Sequence, residues 1–267
     1  MKNQDVISGF KNVDQSSEAA FFIKFLDDGN KIPSVLECKR RMEKRMHIRE
    51  GNTILDIGCG TGDDSRQLAT KAANVKVTGI DSSEAMINVA KERQSQSQTS
   101  VEFYVANVMQ LPFENNSFNS SRTERVLMLV PDAQKAIEEM VRVTKPGGRI
   151  LIYDFEWDAH IIYHPNRNLT RNILRFMSDT SPNGWIGSHL QFLLKKCGVK
   201  EVEVVPHSLF PHLEFLQRVF GVALTTAINK GIFSQQEIED WWAELKRLDE
   251  EKNYFVAFQG FIASGTK

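Results

Sequence analysis

A glycine-rich loop follows a short apolar run and limits the folds that this chain can adopt. Residues 53–57 read TILDI and residues 58–62 read GCGTG, so glycine occupies positions 58, 60 and 62. Glycine tolerates positive φ angles and lets a ligand approach the main chain without a Cβ in the way. Open α/β sheets bind ligands at their carboxyl edge, where a strand turns directly into a helix. The loop therefore predicts a cofactor lying against backbone amides, and the alternative is a plain tight turn.

The segments around the loop alternate between strand-like and helix-like patterns. Between residues 50 and 155, β-branched runs such as VKVTGID and RILIYDF are separated by stretches with helical spacing, such as SSEAMINVAKERQ. This alternation predicts an α/β fold with a parallel, doubly wound sheet and right-handed crossovers. Further along the chain, we expect helices over 211–230 and 234–250, and a last strand in YFVAFQGFIAS.

The length of the chain suits one elaborated α/β domain. We expect a single domain over residues 1–267, because no clear linker or internal repeat interrupts the sequence. Its predicted parts are an N-terminal helical cap at 1–48, a cofactor-binding core at 50–155, substrate-side insertions with the sixth strand at 156–253, and the last strand at 254–264.

The composition indicates an ordinary globular protein. Hydrophobic residues make up 41% of the chain, and the net charge of −1 argues against a protein that grips a polyanion over its whole surface. No stretch approaches the ~20 apolar residues that span a bilayer, and the first residues lack the apolar run of a signal peptide. Cys38, Cys59 and Cys197 are scattered and form no CxxC pair. These features predict a cytoplasmic protein with no structural metal.

The residues after the loop discriminate between cofactors. A dinucleotide fingerprint has its third glycine where this chain has Asp63, and a second carboxylate, Asp64, follows. Two carboxylates at a helix N-terminus suit the helix dipole but would repel a diphosphate. A P-loop is excluded because no Gly-Lys-Ser/Thr follows the glycines. A positively charged cofactor without phosphates fits better, and S-adenosylmethionine has these properties.

Asp81 ends the second strand-like run, about twenty residues past the loop. A carboxylate at this place can accept hydrogen bonds from both hydroxyls of a ribose. The alternative role is a cap for the helix that starts near residue 83. Asp81 supports an adenosine-containing cofactor without choosing among cofactors.

Several motifs occur together in a fixed order: ILDIGCGTG, VTGID with SSEAM, LPFENNSFN, RVLMLV and KPGGRILI. In these motifs the chain resembles class I S-adenosylmethionine-dependent methyltransferases, close to the type that acts in ubiquinone and menaquinone biosynthesis and to its small-molecule relatives. The match covers residues 50–155. The resemblance implies a Rossmann-like, doubly wound sheet of seven strands, mostly parallel with an antiparallel last strand, and a helical cap.

The resemblance also implies a set of cofactor-binding residues. In this set Asp56, Gly58, Gly60 and Gly62 surround the methionine part, Asp81 and Ser82 hold the ribose, Asn107 and Val108 contact the adenine edge, and Thr123 lies near the methionine part. The chain departs from the family where an Asp and a small residue usually stand at 107 and 108. It departs again at 118–121, where the family usually has Phe-Asp-x-Val and this chain has Phe-Asn-Ser-Ser. Ser121 in a central strand then needs a polar partner.

Candidate bases follow the fifth strand-like run, in DFEWDAHIIYH. We expect His160, Glu156 or His164 to remove a proton from the acceptor, since these side chains can act as general bases near neutral pH. The alternative is a solvated loop with a charged face. The histidines do not form a zinc-type motif on a helix, so no metal is predicted. Aromatic residues in the added segments either wall an acceptor pocket or belong to the core: Trp157, Trp185, Phe210, Phe215, Phe220, Trp241 and Trp242.

The leading prediction is methyl transfer to the O, N or C atom of a small molecule, by in-line displacement in a lidded pocket. The lid would consist of the N-terminal helices and residues 156–250. The basic run KRRMEKRMHIR at 39–49 leaves open an RNA or protein methyltransferase, although a helix with a solvated basic face and buried Met42 and Met46 is the simpler interpretation, and nucleic acid is not the expected partner. Two further alternatives are an S-adenosylmethionine-binding scaffold without activity and an NAD-dependent oxidoreductase. The sequence predicts neither the acceptor nor the oligomeric state.

Overall fold

The computed structural model describes residues 13–15 and 19–267, and its centre is a mixed β-sheet with helices packed around it. The strands are β1 (Thr53–Ile57), β2 (Lys76–Asp81), β3 (Val101–Val105), β4 (Phe118–Glu124), β5 (Thr144–Phe155), β6 (Ile161–Ile162), β7 (Lys200–Leu209) and β8 (Val256–Thr266). The α-helices of the described residues are α1 (Ala19–Gly29), α2 (Pro33–Met46), α3 (Asp63–Leu68), α4 (Glu84–Ser95), α5 (Ala133–Val143), α6 (Arg167–Thr180), α7 (Ile186–Lys196), α8 (Leu213–Asn229) and α9 (Gln235–Glu250).

The strand order in the sheet is β3-β2-β1-β4-β5-β8-β6, and β7 also pairs with β8. Strands β1 to β5 run parallel to their neighbours, whereas β8 is antiparallel to β5, β6 and β7. The predicted α/β class, the doubly wound parallel core and the antiparallel last strand are therefore confirmed. The order reverses between β1 and β4, and their carboxyl ends meet at that switch point, where ligands of such sheets bind.

The predicted count of seven strands was wrong, because the described sheet has eight. The additional strand is β6, which pairs its two residues with Val256 and Ala257 of β8. β8 pairs with β5 only from Gly260 to Thr266. The first residues of β8 therefore extend past β5, and their backbone groups need another partner, which the short β6 supplies.

The polar residues of β4 that depart from the family pattern have partners inside the structure. The Ser121 and Thr144 hydroxyls lie 2.8 Å apart, and Thr144 donates onward to the Met140 carbonyl. The Asn119 side-chain oxygen accepts hydrogen bonds from both the backbone N–H and the hydroxyl of Thr53. These side chains stabilise the contacts of β4 with its neighbours, so the departures from the pattern do not disrupt the sheet.

Helices α1 and α2 cover the carboxyl edge near β1 and β4. Met42 and Met46 of α2 are buried, which confirms the interpretation of the basic run as an amphipathic helix. Within the run, Arg41 contacts His207 and Arg45 pairs with Glu203, both on β7. Part of the basic run therefore serves to attach α2 to the edge of the sheet. Among the described helices, none combines the length and the apolar character that crossing a bilayer requires.

Candidate functional site

A cavity of about 570 Å³ lies at the carboxyl ends of β1, β2 and β4. Its floor includes the glycine loop, Asp81 and the end of β4, and its walls come from α1, α2, α8 and β8. The two groups of elements are far apart in sequence. The cavity is the place where the predicted cofactor core and the added helical segments meet.

The glycine loop takes conformations that other residues rarely adopt. Gly58, Gly60 and Gly62 have φ angles of 71°, 53° and 77°, all in the left-handed region that favours glycine. A Cβ on Gly58 would overlap Val126, and a Cβ on Gly60 would lie 2.9 Å from a methyl group of Leu26. Gly58 and Gly60 line the cavity, so the main chain there can approach a ligand directly.

Gly62 has a different role from the other two glycines. It stands just before α3 with a left-handed backbone, and a Cβ there would overlap the ring of Phe103. It does not line the cavity. Gly62 is therefore needed for the packing of α3 against β3. The third glycine of dinucleotide-binding loops also allows close helix packing.

Asp81 is held in place by two backbone donors. Its carboxylate accepts hydrogen bonds from Gly60 N–H at 2.9 Å and from Ser83 N–H at 3.0 Å. Burial raises the pKa of Asp81, although the backbone donors act in the opposite direction. The side-chain cap of α4 is the Ser83 hydroxyl, which accepts a hydrogen bond from Met86 N–H. Asp81 is therefore not the N-cap of this helix.

A short 3-10 turn at Val13–Gln15 lies beside the same helix end. The Asp14 carboxylate accepts hydrogen bonds from the Ser83 hydroxyl at 2.6 Å and from the backbone N–H groups of Glu84 and Ala85. Val13 next to it lines the cavity. This contact could not be predicted from the sequence, because an acid outside any periodic pattern gives no signal of a cap for a helix about seventy residues later.

The other predicted cofactor residues divide into two groups. Asp56, Ser82, Asn107 and Val108 line the cavity. The Asn107 side-chain oxygen accepts from Met109 N–H at 2.9 Å, which fixes the loop after β3. Thr123 is fully buried and is not in the cavity wall, and its hydroxyl has no hydrogen-bond partner among the described residues.

A buried network of charges lies under the glycine loop. Arg122 of β4 donates to Asp64 at 3.1 Å and to Glu124 at 2.7 Å, and it lies 3.5 Å from Asp56. Lys39 of α2 pairs with Asp64 at 2.5 Å. Burial acts to raise the pKa of Asp64, but Arg122 and Lys39 hold it at about 2. The network connects the first turn of α3 to β4 and to the helical cap.

Only part of this network could be predicted from the sequence. Asp64 is recognisable as a helix N-terminal acid, yet its partners Lys39 and Arg122 carry no sequence motif. On adjacent parallel strands, Asp56 is paired in register with Arg122. If the strands predicted at 53–57 and from 118 onwards are paired in this register, the two side chains lie next to each other. Their contact could be predicted from the sequence in this way.

None of the three predicted bases lines the cavity. His160 is buried, its ring stacks 4.7 Å from those of Trp157 and Phe258, and burial lowers its pKa to about 3. Glu156 accepts a hydrogen bond from Ser188 N–H at 2.7 Å, and His164 accepts from Asn166 N–H. These side chains contribute to the packing and capping of the added segments, and none of them is part of the cavity wall.

The cavity wall includes a large group of apolar residues: Phe155, Trp157, Leu209, Pro211, Phe215, Val219 and Phe258. Among the aromatic residues singled out from the sequence, Trp157 and Phe215 are pocket walls, whereas Phe220 and Trp241 are core residues. Trp185 and Phe210 are exposed, and Trp242 packs at the edge of the core.

The residues present fit S-adenosylmethionine. The loop offers a cradle that a Cβ would fill, and Asp81 offers carboxylate oxygens suited to ribose hydroxyls. Helix α3 begins with Asp63, which stands where a dinucleotide-binding loop has its third glycine. Within residues 13–15 and 19–267, no cluster of three or more metal-ligating side chains is found.

Comparisons with known proteins agree with this geometry. A family model described as a methyltransferase domain matches residues 48–251. An uncharacterized 37.1 kDa protein in transposon TN4556 of Streptomyces fradiae is 31% identical over 224 residues, which cover 82% of this chain and 65% of that protein. The demethylmenaquinone methyltransferase of Oceanobacillus iheyensis is 41% identical over 110 residues, 40% of this chain and 46% of that enzyme. The chain thus spans less than two thirds of the length of either relative.

A solved structure shows the same fold. It is the phosphoethanolamine N-methyltransferase 2 of Haemonchus contortus in complex with S-adenosylhomocysteine, with a TM-score of 0.61 and 20% identity. The superposition covers 98% of this chain and 60% of that one. By the matched family model, the fold and the cofactor-type cavity, the chain belongs to the class I S-adenosylmethionine-dependent methyltransferases.

Proposed function

We propose that this protein transfers a methyl group from S-adenosylmethionine to a small, mainly apolar acceptor. The observation that supports this most directly is that the glycine-loop cradle and the apolar wall enclose one continuous cavity. The relative from Oceanobacillus iheyensis, a demethylmenaquinone methyltransferase, supports an acceptor of this kind.

In this proposal each side of the cavity has its own task. The loop amides and Asp81 bind the adenosine and methionine parts of the cofactor, and Asn107 and Val108 contact the adenine edge. Bound S-adenosylmethionine supplies an electrophilic methyl group on a positively charged sulfur. The apolar walls, Phe155 and Phe215 among them, orient the acceptor and exclude water. Orientation of this kind contributes about 7–11 kcal/mol to lowering a reaction barrier.

The added segments act as a cover in this proposal. Helices α1 and α2 and the segment from 156 to 253 surround the core at 50–155, and the whole chain works as one domain. Leu26 of α1, Val35 of α2 and Trp157 all line the cavity. We expect limited proteolysis within 19–30 and 156–190 to slow when S-adenosylmethionine is added. Equal cleavage with and without cofactor would contradict the cover.

The cofactor and the acceptor are tested in separate experiments. Thermal denaturation with S-adenosylmethionine, S-adenosylhomocysteine and NAD should show stabilisation by the first two alone. A cell extract incubated with labelled S-adenosylmethionine and the protein is then divided into RNA, protein and small-molecule fractions. We expect the label in the small-molecule fraction. Label in RNA or protein, or stabilisation by NAD instead, would contradict the proposed function.

A further inference from the structure

Arg125 follows β4 and lines the cavity. Its Nη2 donates to Glu124 Oε1 at 2.8 Å, and among the described residues this is the one hydrogen bond that its guanidinium makes. A guanidinium carries five N–H donors. The side chain is 19% exposed, so donors that no protein group uses are accessible from the cavity.

The neighbouring charged side chains are less accessible. Arg122 is 2% exposed and is shared among carboxylates. The Glu124 side chain is 7% exposed, and its two oxygens accept hydrogen bonds from Arg122 and Arg125. Of these three side chains, Arg125 is therefore the most accessible to a ligand.

The backbone of Arg125 points to a functional constraint. Its φ angle is 58°, in the left-handed region, and its N–H donates to the Tyr153 carbonyl at 2.7 Å. Non-glycine residues are uncommon in this region and cluster at functional sites, because the conformation costs energy. The bond to β5 holds Arg125 at the rim of β4 in spite of that cost.

The positive and negative charges around Arg125 are balanced. The groups that face it or its partners are the cations Lys39 and Arg122 and the carboxylates Asp56, Asp64 and Glu124. Burial raises the pKa of Asp56, although Arg122 beside it acts in the opposite direction. Three cations, Arg125 included, face three carboxylates, so the network carries no excess negative charge that would repel an anion at Arg125.

Among the described residues, the cavity wall has no histidine or tyrosine to act as a base, and its carboxylates Asp64 and Glu124 are held in ion pairs. An acceptor that binds in its ionised form needs no such base, since the proton has been lost to solvent before binding. A guanidinium next to an acceptor hydroxyl favours that form, because a nearby positive charge lowers the pKa of the hydroxyl.

We propose that Arg125 binds an anionic oxygen of the methyl acceptor, so that the acceptor is an apolar molecule with one oxyanion, such as a phenolate, an enolate or a carboxylate. This inference rests on the proposed function and narrows its substrate class. It assigns to Arg125 the recognition of the acceptor, and to the apolar walls the burial of the rest of the molecule.

The test uses 4-nitrophenol, whose absorbance reports its ionisation, and 4-nitroanisole, its neutral methyl ether. Both are titrated into the full-length protein saturated with S-adenosylhomocysteine, at a pH below the pKa of free 4-nitrophenol. We expect the wild-type protein to bind 4-nitrophenol as the phenolate and to bind 4-nitroanisole more weakly. Arg125→Met should raise the Kd for 4-nitrophenol about 10- to 100-fold, the range for losing a hydrogen bond to a charged group. Arg125→Lys should recover part of the affinity, and Arg247→Met on the exposed face of α9 should match the wild type.

Three results would overturn the inference. The first is equal affinity of the wild type for 4-nitrophenol and 4-nitroanisole, or no binding of 4-nitrophenol. The second is unchanged phenolate binding by Arg125→Met or, if that variant does not fold, by Arg125→Gln, which is polar but uncharged. The third result concerns the carboxylate of the cofactor, which is the alternative anion that Arg125 could bind. 5′-Methylthioadenosine lacks this carboxylate. If Arg125→Met lowers the affinity for S-adenosylhomocysteine but not the affinity for 5′-methylthioadenosine, Arg125 binds the cofactor and not the acceptor. Failure of the wild type to bind S-adenosylhomocysteine would instead contradict the proposed function itself.

Discussion

The backbone N–H of Gly60 donates a 2.9 Å hydrogen bond to the carboxylate of Asp81. This bond joins the loop after β1 to the end of β2. The other carboxylate oxygen of Asp81 accepts from Ser83 N–H, so the side chain is fixed at both oxygens. The two features that the sequence indicated separately, the glycine loop and the acid twenty residues later, form one unit of structure.

Asp81→Ala should weaken S-adenosylmethionine binding about 10- to 100-fold, because the ribose hydroxyls lose a charged acceptor. Asp81→Asn should fall between this variant and the wild type, since it keeps one oxygen acceptor. Isothermal titration calorimetry with S-adenosylhomocysteine measures both. Asp158→Ala, an exposed acid outside the cavity, is the control and should bind like the wild type. If Asp81→Ala binds S-adenosylhomocysteine as tightly as the wild type does, Asp81 does not bind the ribose.

Gly60→Ala and Gly147→Ala form a matched pair. Both glycines have positive φ, 53° and 75°, so both substitutions should cost about 1 kcal/mol of stability. A Cβ on Gly147 meets nothing within 4 Å, whereas one on Gly60 projects toward Leu26 at the cavity. We expect only Gly60→Ala to lose cofactor affinity in calorimetry. An equal loss of cofactor affinity in both variants would show that backbone strain, and not the Cβ at the cavity, causes the loss.

Arg122→Met should destabilise the fold by about 3–5 kcal/mol, because the substitution leaves buried carboxylates without their cation. Although burial acts to lower it, the surrounding carboxylates raise the pKa of Arg122, so this side chain stays charged. Urea denaturation at neutral pH measures the loss. Arg247→Met, which removes exposed ion pairs on α9, should cost at most about 1 kcal/mol. Similar losses in the two variants would show that the network contributes little.

The buried acid Asp154 gives a pH-dependent stability. Burial raises its pKa to about 7, in spite of backbone donors such as Phe155 and Met128 N–H. The unfolded side chain titrates near the model-peptide value of about 4, so the folded state binds the extra proton between these values. The free energy of unfolding should therefore fall as the pH rises from about 4 to 7, by roughly 3 to 4 kcal/mol from this group.

Asp154→Asn should remove that contribution. Urea denaturation at pH 5 and pH 8 compares the wild type with this variant, and we expect the difference between the two pH values to shrink. Asp158→Asn, at an exposed position, should keep the wild-type difference. A pH dependence that is the same in all three proteins would show that Asp154 is ionised in the folded state at both pH values.

His160→Phe should leave methyl transfer intact. The ring packs between Trp157 and Phe258, and its Nε2 has no hydrogen-bond partner among the described residues. Phenylalanine keeps the stacking and loses only the contact of Nδ1 with the Glu156 carbonyl, so stability should change by about 1 kcal/mol or less. Label incorporation into the small-molecule fraction and thermal denaturation check this. A variant that folds normally and loses activity would restore His160 as a candidate base.

Much of the cofactor side could be predicted because its signals are local. The loop at 58–62 needs glycine for its own φ angles, and Asp81 follows directly from the end of its strand. The catalytic candidates could not be placed this way. DFEWDAH has the charged composition of an exposed loop, yet His160 is buried because Phe258 of β8, about a hundred residues later, covers its ring.

The amino-acid sequence by itself determined the alternation of strands and helices, the glycine cradle and the acid that faces it, since each depends on neighbouring residues along the chain. Only the tertiary structure decided which charges are buried together and which side chains reach the cavity. Arg122 meets Asp64 across 58 positions, and Asp14 meets Ser83 across 69. The physical reason is that burial and charge pairing depend on the packing of distant elements, which no local pattern of residues encodes.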